Sequence, residues 1–135
     1  MTYFLDTNIC IYYLNNTNQY VCERLEKQFT ANIKIPSMVA AELLFGAEKS
    51  IKREHNIEIF KAFLSIFQIA NFDIKAAREY AIIRADFERK GRIIGGNDLS
   101  IAATVLANDG VLITNNTEEF SRIKKLKIEN WTNAL

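Results

Sequence analysis

Tyr3-Phe4-Leu5, followed at once by Asp6-Thr7-Asn8, is the stretch that decides the fold. Three consecutive apolar, β-prone side chains predict a short strand covered on both faces, because a strand with one wet face alternates apolar and polar residues. The polar residues behind it are all types that cap the free N–H groups of a helix start, so the chain is expected to turn from strand to helix at Asp6. The same change recurs downstream. Ile33–Ile35 is closed by Pro36 and by Ser37, which suits the cap of a helix running through Val39, Leu43, Leu44 and Ala47. Val111-Leu112-Ile113 is the most apolar run of the set, and Lys127-Ile128-Glu129 reads as a short last strand at a sheet edge.

Between these strands lie helical stretches. Residues 20–29 place Val21, Leu25, Gln28 and Phe29 near helical spacing, and the polar patch Asn15–Gln19 before them reads as a loop between two helices. Residues 56–67 form a helix apolar around much of its circumference, Asp73 caps a helix to about Lys90 that Gly91 breaks, and a further helix runs from Asn97 or Asp98 to Ala107, ended by Asn108-Asp109-Gly110. Short, continuously apolar strands alternating with helices predict an α/β fold of three layers, with a short, mostly parallel central sheet flanked by helices and joined by right-handed crossovers.

Composition bounds the function. The 135 residues suit one domain spanning 1–135, and 49% apolar against 24% charged residues, with one Pro, describes a packed globule and not a disordered chain. No run approaches the roughly 18 apolar residues of a membrane span, and Asp6 interrupts the first apolar stretch with no basic leader before it, so a soluble, cytoplasmic protein is expected. Two cysteines, Cys10 and Cys22, and a single histidine, His55, leave no closed structural zinc site without drafting carboxylates, and they exclude a two-imidazole acid–base scheme. A net charge of +1 neither demands nor forbids nucleic acid, so any basic surface has to be local.

In a parallel sheet, ligands bind beyond the carboxyl ends of the strands. Asp6 follows the strand at 3–5, and Thr114-Asn115-Asn116 follows the strand at 111–113. The helix that feeds the latter strand runs antiparallel to it, so Asp98 at its start belongs to the same edge. Glu42 lies five residues beyond Ser37, which at the helical rise is about 7 Å below the rim. Three carboxylates meeting an Asn and a Thr repel one another unless a cation sits among them, and an all-oxygen donor set suits Mg²⁺ or Mn²⁺. Such an ion activates water for attack on a phosphodiester and neutralises the phosphoryl oxygens. Each residue also has a plain reading: Asp6 and Asn97-Asp98 are good helix starts, and Asn116-Thr117 suits a turn. Glu42, among Val39, Ala40, Ala41, Leu43 and Leu44, has no basic partner one turn away. The inference rests on convergence at one edge.

These residues resemble those of the PIN-domain ribonucleases, and most closely the VapC toxins of bacterial toxin–antitoxin pairs. Phe4-Leu5-Asp6-Thr7-Asn8 is similar to the segment that supplies the family's first acid, and Ala41-Glu42-Leu43 with Gly46-Ala47 to that of the second. Ile94-Gly95-Gly96-Asn97-Asp98 with Ile101-Ala102-Ala103 is similar to the third. Thr114-Asn115-Asn116 with Glu119-Phe120, then Ile128-Glu129-Asn130-Trp131, is similar to the closing block. The resemblance implies Asp6, Glu42 and Asp98 as metal ligands, with Thr114 and Asn8 in support. Asn116 stands where many members carry a fourth acid, a departure that removes one charge and leaves an amide to serve the catalytic site by holding a metal-bound water. It also implies Mg²⁺-dependent endonuclease action on RNA, often tRNA, a cognate VapB-like antitoxin and a homodimer, with no membrane partner.

For the phosphates of such a substrate, Arg89, Lys90 and Arg92 are the expected contacts, because their loop leads straight to Asp98; Lys49, Lys52, Arg53, Arg84, Arg122, Lys124 and Lys125 are further cations of interest. The apolar helix at 56–67 is expected to pack one face on the sheet and to turn Phe60, Phe63 or Phe67 toward a partner, with Tyr12, Tyr13 and Phe45 adding to that surface. Two rival functions stand beside the nuclease. A phosphotransferase with Asp6 as nucleophile, resembling haloacid dehalogenase-like phosphatases, is disfavoured because those resemble Asp-x-Asp and position 8 is Asn. A catalytically degenerate RNA- or protein-binding module is kept open by Asn116. Dinucleotide binding lacks its Gly-x-Gly-x-x-Gly after the first strand.

Overall fold

The computed structural model describes residues 1–134. Strand β1 (Tyr3–Leu5) turns at Asp6 into α1 (Thr7–Asn15), and α2 (Gln19–Lys27) and a short 3₁₀ turn (Thr30–Asn32) lead to β2 (Ile33–Pro36). Then follow α3 (Ser37–Glu48), α4 (Arg53–Ile66), β3 (Gln68–Ala70), α5 (Ile74–Arg89), α6 (Gly96–Ala107), β4 (Val111–Ile113), α7 (Thr117–Phe120) and β5 (Lys127–Glu129). The strands form one sheet in the order β3-β2-β1-β4-β5, and every pairing is parallel. From β1 the chain steps outward to β2 and β3, then returns to the other side of β1 for β4 and β5. The order therefore reverses between β1 and β4, the place where a doubly wound sheet opens a crevice for a ligand.

The register puts Leu5 opposite Ile113, so the next residues, Asp6 and Thr114, leave the sheet side by side at that crevice. The strands are apolar because both faces are covered: Phe4, Leu5, Ile35, Leu112 and Ile113 are fully buried between α1 and α3 residues such as Ile9 and Leu43, and α6 residues such as Leu99 and Ile101. Tight approach is enforced at the entry to β4, where a Cβ on Gly110 would overlap the Phe4 ring. The preceding Asp109 takes a left-handed backbone (φ 53°), as a helix end does, and Gly91 (φ 68°) does the same after α5.

Several local expectations change. The edge strand β3 is absent from the sequence reading because Gln68-Ile69-Ala70 continues the apolar run of α4 without a break and lies partly exposed at the rim of the sheet. Helix α4 begins at Arg53, earlier than expected, and takes in His55, which is exposed. Ser37 opens α3 but does not cap it; its hydroxyl accepts from the Phe72 N–H at 3.1 Å, tying the end of β3 to the start of α3. Phe29, expected on the apolar face of the second helix, lies beyond its end and is 79% exposed, while Val21 and Leu25 are buried. Asp73 does cap α5, accepting from the Ala76 N–H at 3.0 Å. Among the described residues no helix is long and apolar enough to cross a membrane.

Candidate active site

Asp6 is where the sheet hands its polar load to the solvent. It is the N-cap of α1, accepting from the Thr7 N–H at 2.8 Å, and it also accepts from the Thr114 hydroxyl at 2.7 Å. Thr114 is fully buried and Asp6 is nearly so, at 7% exposure. Burial raises the Asp6 carboxyl above its ordinary range; the two hydrogen bonds oppose the rise, and the charges of Glu42 and Glu119 add to it. The capping role and the site role coincide in one side chain.

Glu42 reaches the same place from α3. Its Oε1 accepts from the Thr7 hydroxyl at 2.5 Å and its Oε2 from the Asn97 amide at 3.3 Å. This explains a carboxylate in an apolar helix stretch without a basic neighbour: its partners come from α1 and α6. Asp98 sits in the first turn of α6, where the helix N-terminus favours an anion. Its carboxyl is nonetheless pushed up to about 7, first by burial, then by a hydrogen bond with Glu119 and by the charges of Glu119, Asp6 and Glu42. Burial and the neighbouring acids thus both favour the protonated form of Asp98.

Glu119, on the single turn of α7, is the site residue that sequence reasoning passed over. It belongs to the closing motif and lies three residues beyond Asn116. Asn116 is exposed and donates from Nδ2 to Glu119 Oε2 at 2.8 Å, while its own N–H donates to the Thr114 hydroxyl at 3.0 Å. The signal that finds Glu119 is its spacing three residues beyond Asn116, which puts both on one face of a helical turn. Asn8 lies exposed in the first turn of α1, and the hydrogen bonds of the site among the described residues run through its neighbour Thr7.

The donor set is hard oxygen throughout: the carboxylates of Asp6, Glu42, Asp98 and Glu119, an amide and two threonine hydroxyls. It fits Mg²⁺ or Mn²⁺ in chemistry. As the side chains lie, no group of three His, Cys, Asp or Glu residues among the described residues is arranged to hold an ion. Asp6, Glu42 and Glu119 each accept hydrogen bonds from neighbouring side chains or backbone.

The remaining expected residues fall elsewhere. Arg89, Lys90 and Arg92 are exposed on the end of α5 and the loop before α6. On α4, Phe63 turns inward: it is 4% exposed and packs edge-on against Phe67 at 5.1 Å and against Tyr13 at 5.9 Å. Phe60 and Phe67 are half-buried against the core. The apolar surface that this helix presents outward is carried by Ile59 and Ile66, because large aromatic side chains gain more from burial than a rim position allows. Phe45 is 64% exposed.

Comparison with known proteins identifies the family and the fold. The sequence matches the PIN domain over residues 3–126. It is 44% identical over 132 residues to "Ribonuclease VapC2" of Rickettsia felis, covering 97% of this chain and 98% of that one. It is 36% identical over 131 residues to "tRNA(fMet)-specific endonuclease VapC" of Salmonella typhimurium, covering 97% of this chain and 98% of the relative. Among solved structures, a chain of VapBC2 from Rickettsia felis, crystallised bound to a DNA fragment from its promoter, superposes with a TM-score of 0.88 at 43% identity, covering 97% of this chain and 99% of that one. With its switch-point acids and its match along nearly the whole length, this chain belongs to the PIN-domain family, in the branch of the VapC ribonucleases.

Proposed function

We propose that this chain is a Mg²⁺-dependent endoribonuclease, the toxin component of a toxin–antitoxin pair, that hydrolyses RNA phosphodiesters at the Asp6–Glu42–Asp98 edge. The observation that carries the reading is the meeting of acids from separate elements at the switch point of the sheet: Asp6 at the tip of β1 bonded to Thr114 at the tip of β4, and Glu42 of α3 bonded to Thr7 and to Asn97 beside Asp98. A bound Mg²⁺, with Mn²⁺ as substitute, would supply charge neutralisation at the phosphoryl oxygens and activation of the attacking water.

The chain's own residues do the rest. Thr114 and the Thr7 N–H fix Asp6 in one rotamer by two hydrogen bonds, so the first ligand is pre-aimed. Thr7 and Asn97 hold the two oxygens of Glu42. Asp98, its proton affinity raised by burial and by its acidic neighbours, has to lose its proton before it can face a cation, and once ionised it is placed to accept a proton from the attacking water. Asn116 orients Glu119 and contributes no charge. Arg89, Lys90 and Arg92 lie on the approach to Asp98 and provide the positive potential that a phosphodiester strand needs.

One relative's name supplies the substrate for this proposal, tRNA(fMet), and the titles of the VapBC structures supply the partner, a VapB-like antitoxin; the homodimer is the expectation drawn from the family resemblance. One domain over 1–135 working in the cytoplasm accommodates all three. Incubation of the purified chain with initiator tRNA tests it. Discrete cuts in Mg²⁺ or Mn²⁺ that stop with EDTA and are lost in Asp6→Asn and Asp98→Asn are expected; RNA binding without cuts in either metal returns the chain to a binding module.

A further inference from the structure

Outside the carboxylate pocket, a trough of about 400 Å³ runs between the C-terminal half of α5 and the segment that joins α7 to β5. Six cations line it: Arg89, Lys90 and Arg92 on one wall, Arg122, Lys124 and Lys125 on the other. Its one acid, Asp86, is already paired with Lys90 at 3.1 Å. The other five have no ion-pair partner among the described residues. The whole chain carries 17 basic and 16 acidic residues, so without the trough's six cations and one acid it holds 11 against 15. A nearly neutral protein therefore keeps a strongly positive groove on an otherwise acidic body.

We infer that this trough is a track for the phosphate backbone of RNA, which binds the substrate on the flank of the cut; the inference rests on the nuclease reading above. Like-signed charges over a low-dielectric floor focus the field outward, and the floor here is apolar: Ile83, Phe87 and Ile123 are buried at 7%, 5% and 4% exposure. The lining keeps apolar surface as well, with Ile82 at the lip 44% exposed. What favours RNA is the charge: six cations face one acid that is already paired, and a phosphate backbone is the partner that such a surplus suits.

Both walls are direct continuations of the site. Arg92 precedes Asp98 by six residues and Arg122 follows Glu119 by three, a span of at most about 11 Å of extended chain. Arg122 also ties the walls together. Its guanidinium lies 5.1 Å from the Phe87 ring centre and donates to the Ile93 carbonyl at 2.8 Å, leaving further N–H groups of its five free for phosphate. The trough is thus braced across its walls, and both walls lead along the chain into the segments that carry Asp98 and Glu119.

The test separates binding from cutting. In EDTA, where no cleavage occurs, affinity for initiator tRNA is measured over a salt series for the unsubstituted chain, for Lys124→Glu/Lys125→Glu, for Arg89→Gln/Arg92→Gln as a milder variant, and for Lys27→Glu on α2 as a control outside the trough. Both trough pairs are expected to weaken binding about tenfold near 100 mM salt and to lower the slope of log affinity against log salt by about two, with the control unchanged. In Mg²⁺ the same pairs should raise KM and leave kcat alone. Unchanged affinity and slope in both pairs overturn the inference. So does retained tRNA binding with lost binding of a glutamate-rich peptide, which would make the trough a protein dock. If the unsubstituted chain cuts no RNA, the nuclease reading fails, and the track is still decided by the EDTA series.

Discussion

Asn116 donates its side-chain N–H to Glu119 Oε2 at 2.8 Å, so the position that lacks the family's fourth acid holds in place another carboxylate three residues on. Glu119 is also the partner whose hydrogen bond and charge, after burial, raise Asp98 most. Replacing Glu119 with Gln keeps the shape and removes the charge. Cleavage is expected to fall about 10- to 100-fold and Mg²⁺ affinity to drop with it, as for other groups that orient or complete a metal shell. Asn116→Asp should not rescue this chain, because it sets a new carboxylate against Glu119; its metal-free form is expected to melt lower than the parent, with Mg²⁺ closing the gap. Titration calorimetry and melting curves decide both, and wild-type Mg²⁺ affinity in Glu119→Gln would remove Glu119 from the site.

Thr114 connects the core to the chemistry. Thr114 is fully buried and its hydroxyl donates a hydrogen bond to Asp6, and that bond holds the Asp6 carboxyl below where burial alone would put it. In Thr114→Val, Asp6 loses a donor it cannot replace from solvent, which costs roughly 1–3 kcal/mol of stability. The sign on activity follows. With the bond gone, Asp6 holds its proton to higher pH, so the acidic limb of the pH–rate profile should move upward. Urea unfolding and a kcat/KM profile measure the two effects, and an unmoved limb would show that Asp6 ionisation does not limit the reaction.

What could be read from the sequence follows burial and chain direction. Asp6, Asp98 and Thr114 were legible because each sits at a strand tip or a helix start, where topology alone places it. Glu42 needed only a helical rise. Glu119 was not legible, because the segment after Thr114 reads as a turn, and only the formation of α7 aims the side chain at Asp98. Phe63 shows the reverse limit: periodicity finds an apolar stripe on α4, but which member points inward depends on where Tyr13 and Phe67 meet it. Strand β3 was hidden for a third reason, since its three residues carry no break from the helix before them.

Gly110 is a prediction about the fold alone. A Cβ there meets the Phe4 ring and comes within 3.1 Å of the Thr2 carbonyl, and Phe4 is fully buried at the centre of the sheet, with no room to swing away. Gly110→Ala is expected to cost about 1–3 kcal/mol by overpacking. The partner change Phe4→Leu in the same chain should recover part of that loss, although alone it destabilises. A double-mutant cycle in urea reads the coupling; strictly additive costs would show that the two residues do not press on one another.

The pH dependence of the metal-free protein carries the sign of the acidic pocket. Asp98 keeps its proton up to about 7 in the folded chain, against about 3.9 for an aspartate in an unfolded one. Between those values the folded state binds more protons than the unfolded state, so this group's contribution is complete below about pH 4 and is lost as pH rises through about 7. Asp6, also raised, acts in the same direction. In EDTA the melting temperature should therefore decline from pH 5 to pH 8 more steeply than in Asp98→Asn, which has no such proton to lose. Mg²⁺ needs the ionised carboxylates, so its stabilising effect should grow over the same interval and release protons on binding. Parallel melting curves for the parent and Asp98→Asn across that range would mean that Asp98 does not hold the proton.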